Sequence, residues 1–316
     1  MTALLGTAAV AGALWWAVFS LKPYDPSPAE VQARYAHAPV AALQVRLGDV
    51  QTLPGGHRAQ ALRFSSFDGA EVMGRIVYPA DASGATPLLL SLHAMGRAHQ
   101  RMLQAEFKGR PTVEQTHRIA ELALARGYAV LALDAREHGE RKNPAHSVQD
   151  IMRDLHWWGR RAPYERMLID TVKDYRVLLD WAVQQPGIDA RHLRVAGYSM
   201  GAQMAMLLGA LDPRIQAVAA IVPPHVDDKV ALVSPHRLLP GLAGKSVWLL
   251  SADDDEYASG AQNQALFDAL PGADKQHLRF PGGHLLPDGY VERLRPWFPP
   301  ATTSGSATRA VHSQES

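Results

Sequence analysis

Hydrophobic positions along this chain change rhythm near residue 80. From Leu43 to Tyr78 apolar and polar residues alternate, in "LQVRLGDV", "AQALRFSS" and "EVMGRIVYP", around a turn at Phe67-Asp68-Gly69. Alternation on either side of a DG turn predicts an antiparallel hairpin. Beyond it come five short, almost continuously apolar runs: "PLLLSLH" (Pro87 to His93), "YAVLALD" (Tyr128 to Asp134), "LRVAGYS" (Leu193 to Ser199), "AVAAIVPP" (Ala217 to Pro224) and "SVWLLSAD" (Ser246 to Asp253). Such runs suit strands buried on both faces, as in a parallel sheet. Between them "EQTHRIAELALARG" and "LIDTVKDYRVLLDWAVQQPG" carry helical spacing, the second through Val172, Tyr175, Val177, Leu178 and Trp181 up to a stop at Pro186-Gly187. Strand and helix in alternation predict a doubly wound α/β sheet with an antiparallel amino-terminal edge. Ligands of such sheets bind beyond the carboxyl ends of the strands, which is where chemistry is sought.

The chain ends follow other patterns. Thr2 to Leu21 holds no charged side chain. About 20 apolar residues span a bilayer core, so residues 1–22 are expected to form a single-pass membrane helix, with Trp15 and Trp16 at the interface. The alternative is a cleaved signal peptide and a secreted protein, but a positive leading region is missing and the small-residue cleavage pattern before Lys22 is poor. Lys22 and Arg34 are too few charges to orient the span. Residues 23–42 read as a Pro-rich stalk and lead-in that resists helix, 43–298 as the folded α/β domain, and 299–316 as a disordered tail poor in large apolar residues.

Composition narrows the chemistry. The 316 residues carry 32 Lys and Arg against 31 Asp and Glu, which leaves no basic field for nucleic acid. With no cysteine there is no disulfide, thiolate metal site or cysteine nucleophile. His93 with His99 and His138 with His146 invite a metal reading, yet no H-E-x-x-H pattern or compact His and carboxylate cluster accompanies them, so neither metal nor cofactor is expected.

One motif stands out. Gly197-Tyr198-Ser199-Met200-Gly201 matches G-x-S-x-G, directly after an apolar strand and directly before the helix-prone "MGAQMAMLLGAL". That is the context of a nucleophile elbow, where glycines leave room for a serine held on a sharp turn. A serine hydroxyl attacks only when a base takes its proton and an acid orients the base. The chain supplies both in the order Ser, Asp, His: "SADDDEY" puts Asp253, Asp254 and Asp255 at a strand's carboxyl end, and "RFPGGHLLPDG" puts His284 in a glycine-rich loop. Asp255 is the preferred acid and Asp254 the alternative. The oxyanion donors are expected to be the N–H of Met200 and that of Met95, with Ala94 as the alternative, from the "HAMGRAH" loop. His93 reads as a residue that shapes this loop by hydrogen bonding. Trp157 and Trp158, in a long strand-to-helix connection, either cover an acyl pocket or pack a helix onto the sheet.

These residues resemble the α/β-hydrolase family from about Leu43 to Phe298, through "FSSFDGAEVMGRIVYPA", "LLLSLHAMG", "LALDAREHGER", "GYSMGA", "SADDDEY" and "PGGH". The style is similar to the dienelactone-hydrolase, acetyl-esterase and prolyl-oligopeptidase-like branches. The resemblance implies an eight-stranded, mostly parallel sheet and a Ser-His-Asp hydrolase without a cofactor. Three positions depart from it: Ala94 where relatives have glycine after the histidine, Ala252 before the acidic residues, and Ala202 after Gly201. Asp134, Arg136, His138 and Arg141 match a family loop and read as structural pairing.

The expected function is therefore a membrane-anchored serine carboxylesterase acting on small or medium esters. A peptidase or amidase using the same residues is the second enzymatic reading. A membrane-tethered binding module that kept the fold without the chemistry is the alternative from another class, distinguished by whether His284 and an aspartate can approach Ser199.

Overall fold

The structure, a computed structural model, describes residues 12, 14–38, 40 and 43–300. Among these, ten strands form one sheet. They are β1 (Arg46–Leu47), β2 (Gln51–Thr52), β3 (Arg58–Ser65), β4 (Glu71–Tyr78), β5 (Thr86–Leu92), β6 (Ala129–Leu133), β7 (Ile188–Tyr198), β8 (Ile215–Ile221), β9 (Ser246–Ala252) and β10 (Lys275–Phe280). The spatial order is β1-β3-β4-β6-β5-β7-β8-β9-β10, with β2 beside β3. Pairings from β6 through β10 are parallel and those of β3 and β4 antiparallel. Eight strands of five or more residues make the body of the sheet, as the resemblance implied, and the two extra strands are two-residue additions at its amino-terminal edge.

The apolar runs become strands because both of their faces are covered. Along β5, Leu88, Leu90 and Leu92 point into one hydrophobic core and Leu89 into the other, the period-two alternation of a strand buried on both sides. Helices α3 (Val148–Trp158), α4 (Ala162–Ala182) and α5 (Met200–Leu211) line the first core, and α2 (Thr116–Ala125) and α7 (Tyr290–Arg293) the second. Helices α1 (Pro28–Tyr35) and α6 (Gly260–Ala269) add Val31, Tyr35 and Leu266 to the first core. The β3–β4 hairpin turns where the sequence places it: Ser66 N–H donates to Ala70 O, and Gly69 takes φ +81°.

Two expectations need correction. The lead-in is not all stalk, since α1 begins at Pro28. Ser27 and Glu30 form a capping box there, and a proline in the first turn loses no intrahelical hydrogen bond. Helix α4 also begins at Ala162, well before Leu168, for the same reason: Pro163 sits in its first turn. Most of the expected membrane span, residues 1–11 and 13, and the tail from 301 lie outside the described residues. Among the described residues no helix is long and apolar enough to cross a membrane. Residues 14–19 are helical and lead through a bend at Ser20 to the domain.

Candidate active site

The carboxyl ends of β7, β9 and β10 converge on one point. At the end of β7 the chain turns into α5 through Ser199, whose φ of 56° and ψ of −119° are strained for a residue with a side chain. The strain is sustained on both sides: Ser199 N–H donates to Ile221 O at 2.9 Å, and Ser199 O accepts from Ala202 N–H and Gln203 N–H. The glycines are sterically required. A Cβ on Gly197 would lie 2.0 Å from Gly201 O, and one on Gly201 would lie 2.1 Å from Leu92 O and 2.8 Å from His93 O. The second contact also fixes the loop after β5, which carries Ala94 and Met95, against the elbow. Met200 N–H, in the first turn of α5, belongs to the amides that have no partner four residues back.

The loops after β9 and β10 are zipped together by backbone. Asp253 N–H donates to Phe280 O and Asp254 N–H to Gly282 O, both at 2.9 Å, while His284 N–H donates to a Glu256 carboxylate oxygen at 3.0 Å. A hydrogen bond from its own backbone, and then that contact, hold the exposed Glu256 carboxyl below its ordinary range. The zipper brings His284 Nδ1 to 3.0 Å from both oxygens of Asp255, and His284 Nε2 to 2.8 Å from Ser199 Oγ. A carboxylate accepts only, so Nδ1 carries the hydrogen and Nε2 is free to accept the serine proton. Asp255's side chain is fully buried and also accepts the Tyr257 N–H. Its neighbours go elsewhere, with Asp253 pairing with Arg279 on the surface and Asp254 exposed.

Two tyrosines complete the frame without having been singled out by pattern. Buried Tyr198 donates to His284 O at 2.7 Å and accepts Leu286 N–H at 3.1 Å; its pKa is raised by burial. Exposed Tyr257 sets its ring edgewise at 4.6 Å from the imidazole. The x of G-x-S-x-G is informative only in three dimensions, because its partner lies 86 residues away.

The other candidate residues fall outside this cluster. His93 is buried, donates from Nδ1 to Ala94 O and accepts Ala135 N–H at Nε2, so it staples two loops; burial, then the neighbouring His138, pushes its pKa down to about 3. Asp134 accepts from His99 and from Glu140 N–H, and although burial opposes ionisation those hydrogen bonds bring its pKa to about 2. Arg136 and Arg141 share buried Asp174. Among the described residues no group of three or more His, Asp or Glu could hold a metal ion. Trp157 and Trp158 do not join Ser199 and His284; their ring partners are Trp15 and Phe19.

A family model described as acetyl xylan esterase (AXE1) matches residues 38–232, the span from the lead-in through the elbow and beyond. The chain belongs to the acetyl xylan esterase family. This family member is an α/β-hydrolase, and it is a serine hydrolase acting on carboxylic esters. Its backbone is similar to acetyl xylan esterase 1 from Thermoanaerobacterium sp. JW/SL YS485, with 14% identity over 87% of this chain and 94% of that one at a TM-score of 0.67. It is also similar to a cold-adapted esterase from an Arctic intertidal metagenomic library (21% identity, 79% and 97% covered, TM-score 0.59) and to the glucuronoyl esterase from Solibacter usitatus (14%, 85% and 90%, 0.59). These likenesses establish the fold of the esterase. No curated protein sequence matches it.

Proposed function

We propose that this esterase removes short acyl groups, acetyl first, from hydroxyls of a carbohydrate or similar polyol, through an acyl-enzyme on Ser199. The observation that carries the reading is the unbroken chain Ser199 Oγ, His284 Nε2, His284 Nδ1, Asp255. His284 takes the hydroxyl proton as Ser199 Oγ bonds to the ester carbonyl carbon, and Asp255 stabilises the imidazolium. The N–H groups of Met200 and Met95, or Ala94 in place of Met95, receive the oxyanion. His284 then protonates the departing alcohol, the acyl–alcohol bond breaks, and a water deprotonated by His284 releases acetate and restores Ser199. Two supports favour a sugar ester: the family match, and the exposed Tyr257 face beside His284, a flat surface for a pyranose ring. The esterase domain is assigned to residues 43–298. The uncharged Thr2–Leu21 segment is assigned as a membrane anchor, with secretion after cleavage as the competing reading.

Ser199→Ala tests the core of this. It is expected to lower kcat on 4-nitrophenyl acetate by on the order of 10⁴-fold or more and to abolish fluorophosphonate labelling. Labelling retained in that variant would overturn the assignment.

A further inference from the structure

The amino-terminal helix and the esterase domain meet at an aromatic cluster. Trp15 lies 5.6 Å from Trp157 and 6.2 Å from Trp158 between ring centroids, and Phe19 lies 5.2 Å from Trp158 in an edge-to-face pair. The backbones also close: Gly159, which ends α3 with φ 62°, approaches so nearly that a Cβ on it would lie 2.3 Å from Phe19 O. Only glycine fits there, on both counts.

Downstream of the cluster the chain is bolted to the domain, where a Pro-rich stalk was expected. Arg161 donates to Lys22 O at 2.8 Å and stacks its guanidinium 4.4 Å over the Tyr24 ring. Tyr24 N–H donates to Asp228 O, its hydroxyl donates to Glu165 and accepts Leu232 N–H at 3.0 Å, and Arg237 joins Asp25 to Asp228. Residues 14–25 therefore have one orientation relative to α3 and α4.

The cluster is not closed over. Trp157 is 60% exposed, Trp158 42% and Trp16 65%, with Leu14 and Val18 exposed beside them. An exposed apolar patch of this kind marks an interaction surface. Cations border it: Arg153, paired with Asp150, lines the same cleft as Trp15, Trp157 and Trp158, Lys22 sits 4.9 Å over the Trp16 ring, and the exposed Arg160, paired with Asp154, follows on the surface. Tryptophan beside Lys and Arg is the composition that settles at the headgroup level of a bilayer.

We propose that this surface rests on a lipid bilayer, so that the esterase domain is held against the membrane in a fixed orientation. The inference rests on the reading of Thr2–Leu21 as the anchor. A bilayer is the occupant because the cluster is continuous with that uncharged run. Trp15 lies four residues, about 6 Å along the helix, before its last helical residue Phe19, and Trp157 and Trp158 pack directly on Trp15 and so share its depth.

The absence of cysteine makes a direct test available. Leu14→Cys, Trp157→Cys and Arg191→Cys, each in the full chain, would carry a nitrobenzoxadiazole probe and be reconstituted into phosphatidylcholine and phosphatidylglycerol vesicles. Hydrolysis of a soluble short-chain ester reports that each variant is folded. The expected result is blue-shifted emission, quenched by lipids with a nitroxide near the headgroup, at 14 and 157, with a water-like probe at 191. A water-like probe at 157 beside a quenched one at 14 overturns the docking and leaves the anchor standing. Water-like probes at both overturn the anchor as well. A blue-shifted probe at 157 that nitroxide lipids do not quench and that reverts on dilution of protein in lipid identifies a second copy as the occupant, and also overturns the proposal.

Discussion

The hydroxyl of Tyr198 lies 2.7 Å from the backbone carbonyl of His284, so the residue just before the strained serine holds the loop that carries the histidine. Because the same hydroxyl accepts Leu286 N–H, removing it leaves a half-buried carbonyl and a buried N–H unpaired. Tyr198→Phe is expected to cost about 1–3 kcal/mol of stability. As a positioning residue it should lower kcat on 4-nitrophenyl acetate about tenfold with KM nearly unchanged, since what shifts is the placement of His284. A change in KM alone, or in stability alone, would contradict the role.

The three consecutive aspartates separate sharply in space, and so should their substitutions. Asp255→Asn leaves His284 Nδ1 facing an amide that can present a donor, and kcat should fall on the order of 10³ to 10⁴-fold. Asp253→Asn loses only an exposed pair with Arg279, and Asp254→Asn changes an exposed side chain; both should stay within about threefold of the parent. Steady-state kinetics on one ester ranks all three. A larger loss at Asp254 than at Asp255 would exchange their assignments.

Why this much was legible follows from which interactions are local. Buried parallel strands announce themselves because both faces must be apolar, and the elbow does so because Gly197 and Gly201 stand where a Cβ would strike backbone. The order Ser, Asp, His survives in the sequence because each comes from its own strand end. Helix α1 was hidden by reading Pro26 and Pro28 as breakers, although Ser27 and Glu30 form a capping signal around Pro28. The partners of Trp157 and Trp158 were beyond pattern reading: the contacts with Trp15 and Phe19 join segments about 140 residues apart, and no periodicity encodes them.

Tyr257 offers a way to separate the acyl from the alcohol side of the site. Its ring lies 4.6 Å from the His284 imidazole between centroids and is 62% exposed, and under the proposed reaction it is the surface against which the sugar of the leaving alcohol would rest. Tyr257→Ala should raise KM for an acetylated sugar about 3- to 10-fold, the worth of one aromatic contact, while kcat/KM on 4-nitrophenyl acetate moves about twofold or less. Equal losses on both substrates would instead make the ring a support for His284.

Acid should destabilise the protein through two groups that titrate over adjoining pH ranges, both located behind the candidate site. Burial brings His93 from an ordinary 6.5 to about 3, so between those values the unfolded chain binds a proton that the folded one refuses. Its stabilising contribution is complete above pH 6.5 and is lost as pH falls below it. Asp134 acts lower: against burial, its hydrogen bonds with His99 and Glu140 N–H bring it from 3.8 to about 2, and its contribution, complete above about pH 4, is lost as pH falls towards 2. From pH 6.5 to 4.5 the His93 effect alone amounts to about 2 kcal/mol, and buried His138, also shifted down chiefly by burial, adds in the same direction. Urea unfolding at pH 7.5 and 4.5 measures the difference. In His93→Gln, where an amide oxygen can still accept Ala135 N–H, that difference should shrink by about the His93 share. An unchanged difference would place the acid sensitivity in other groups.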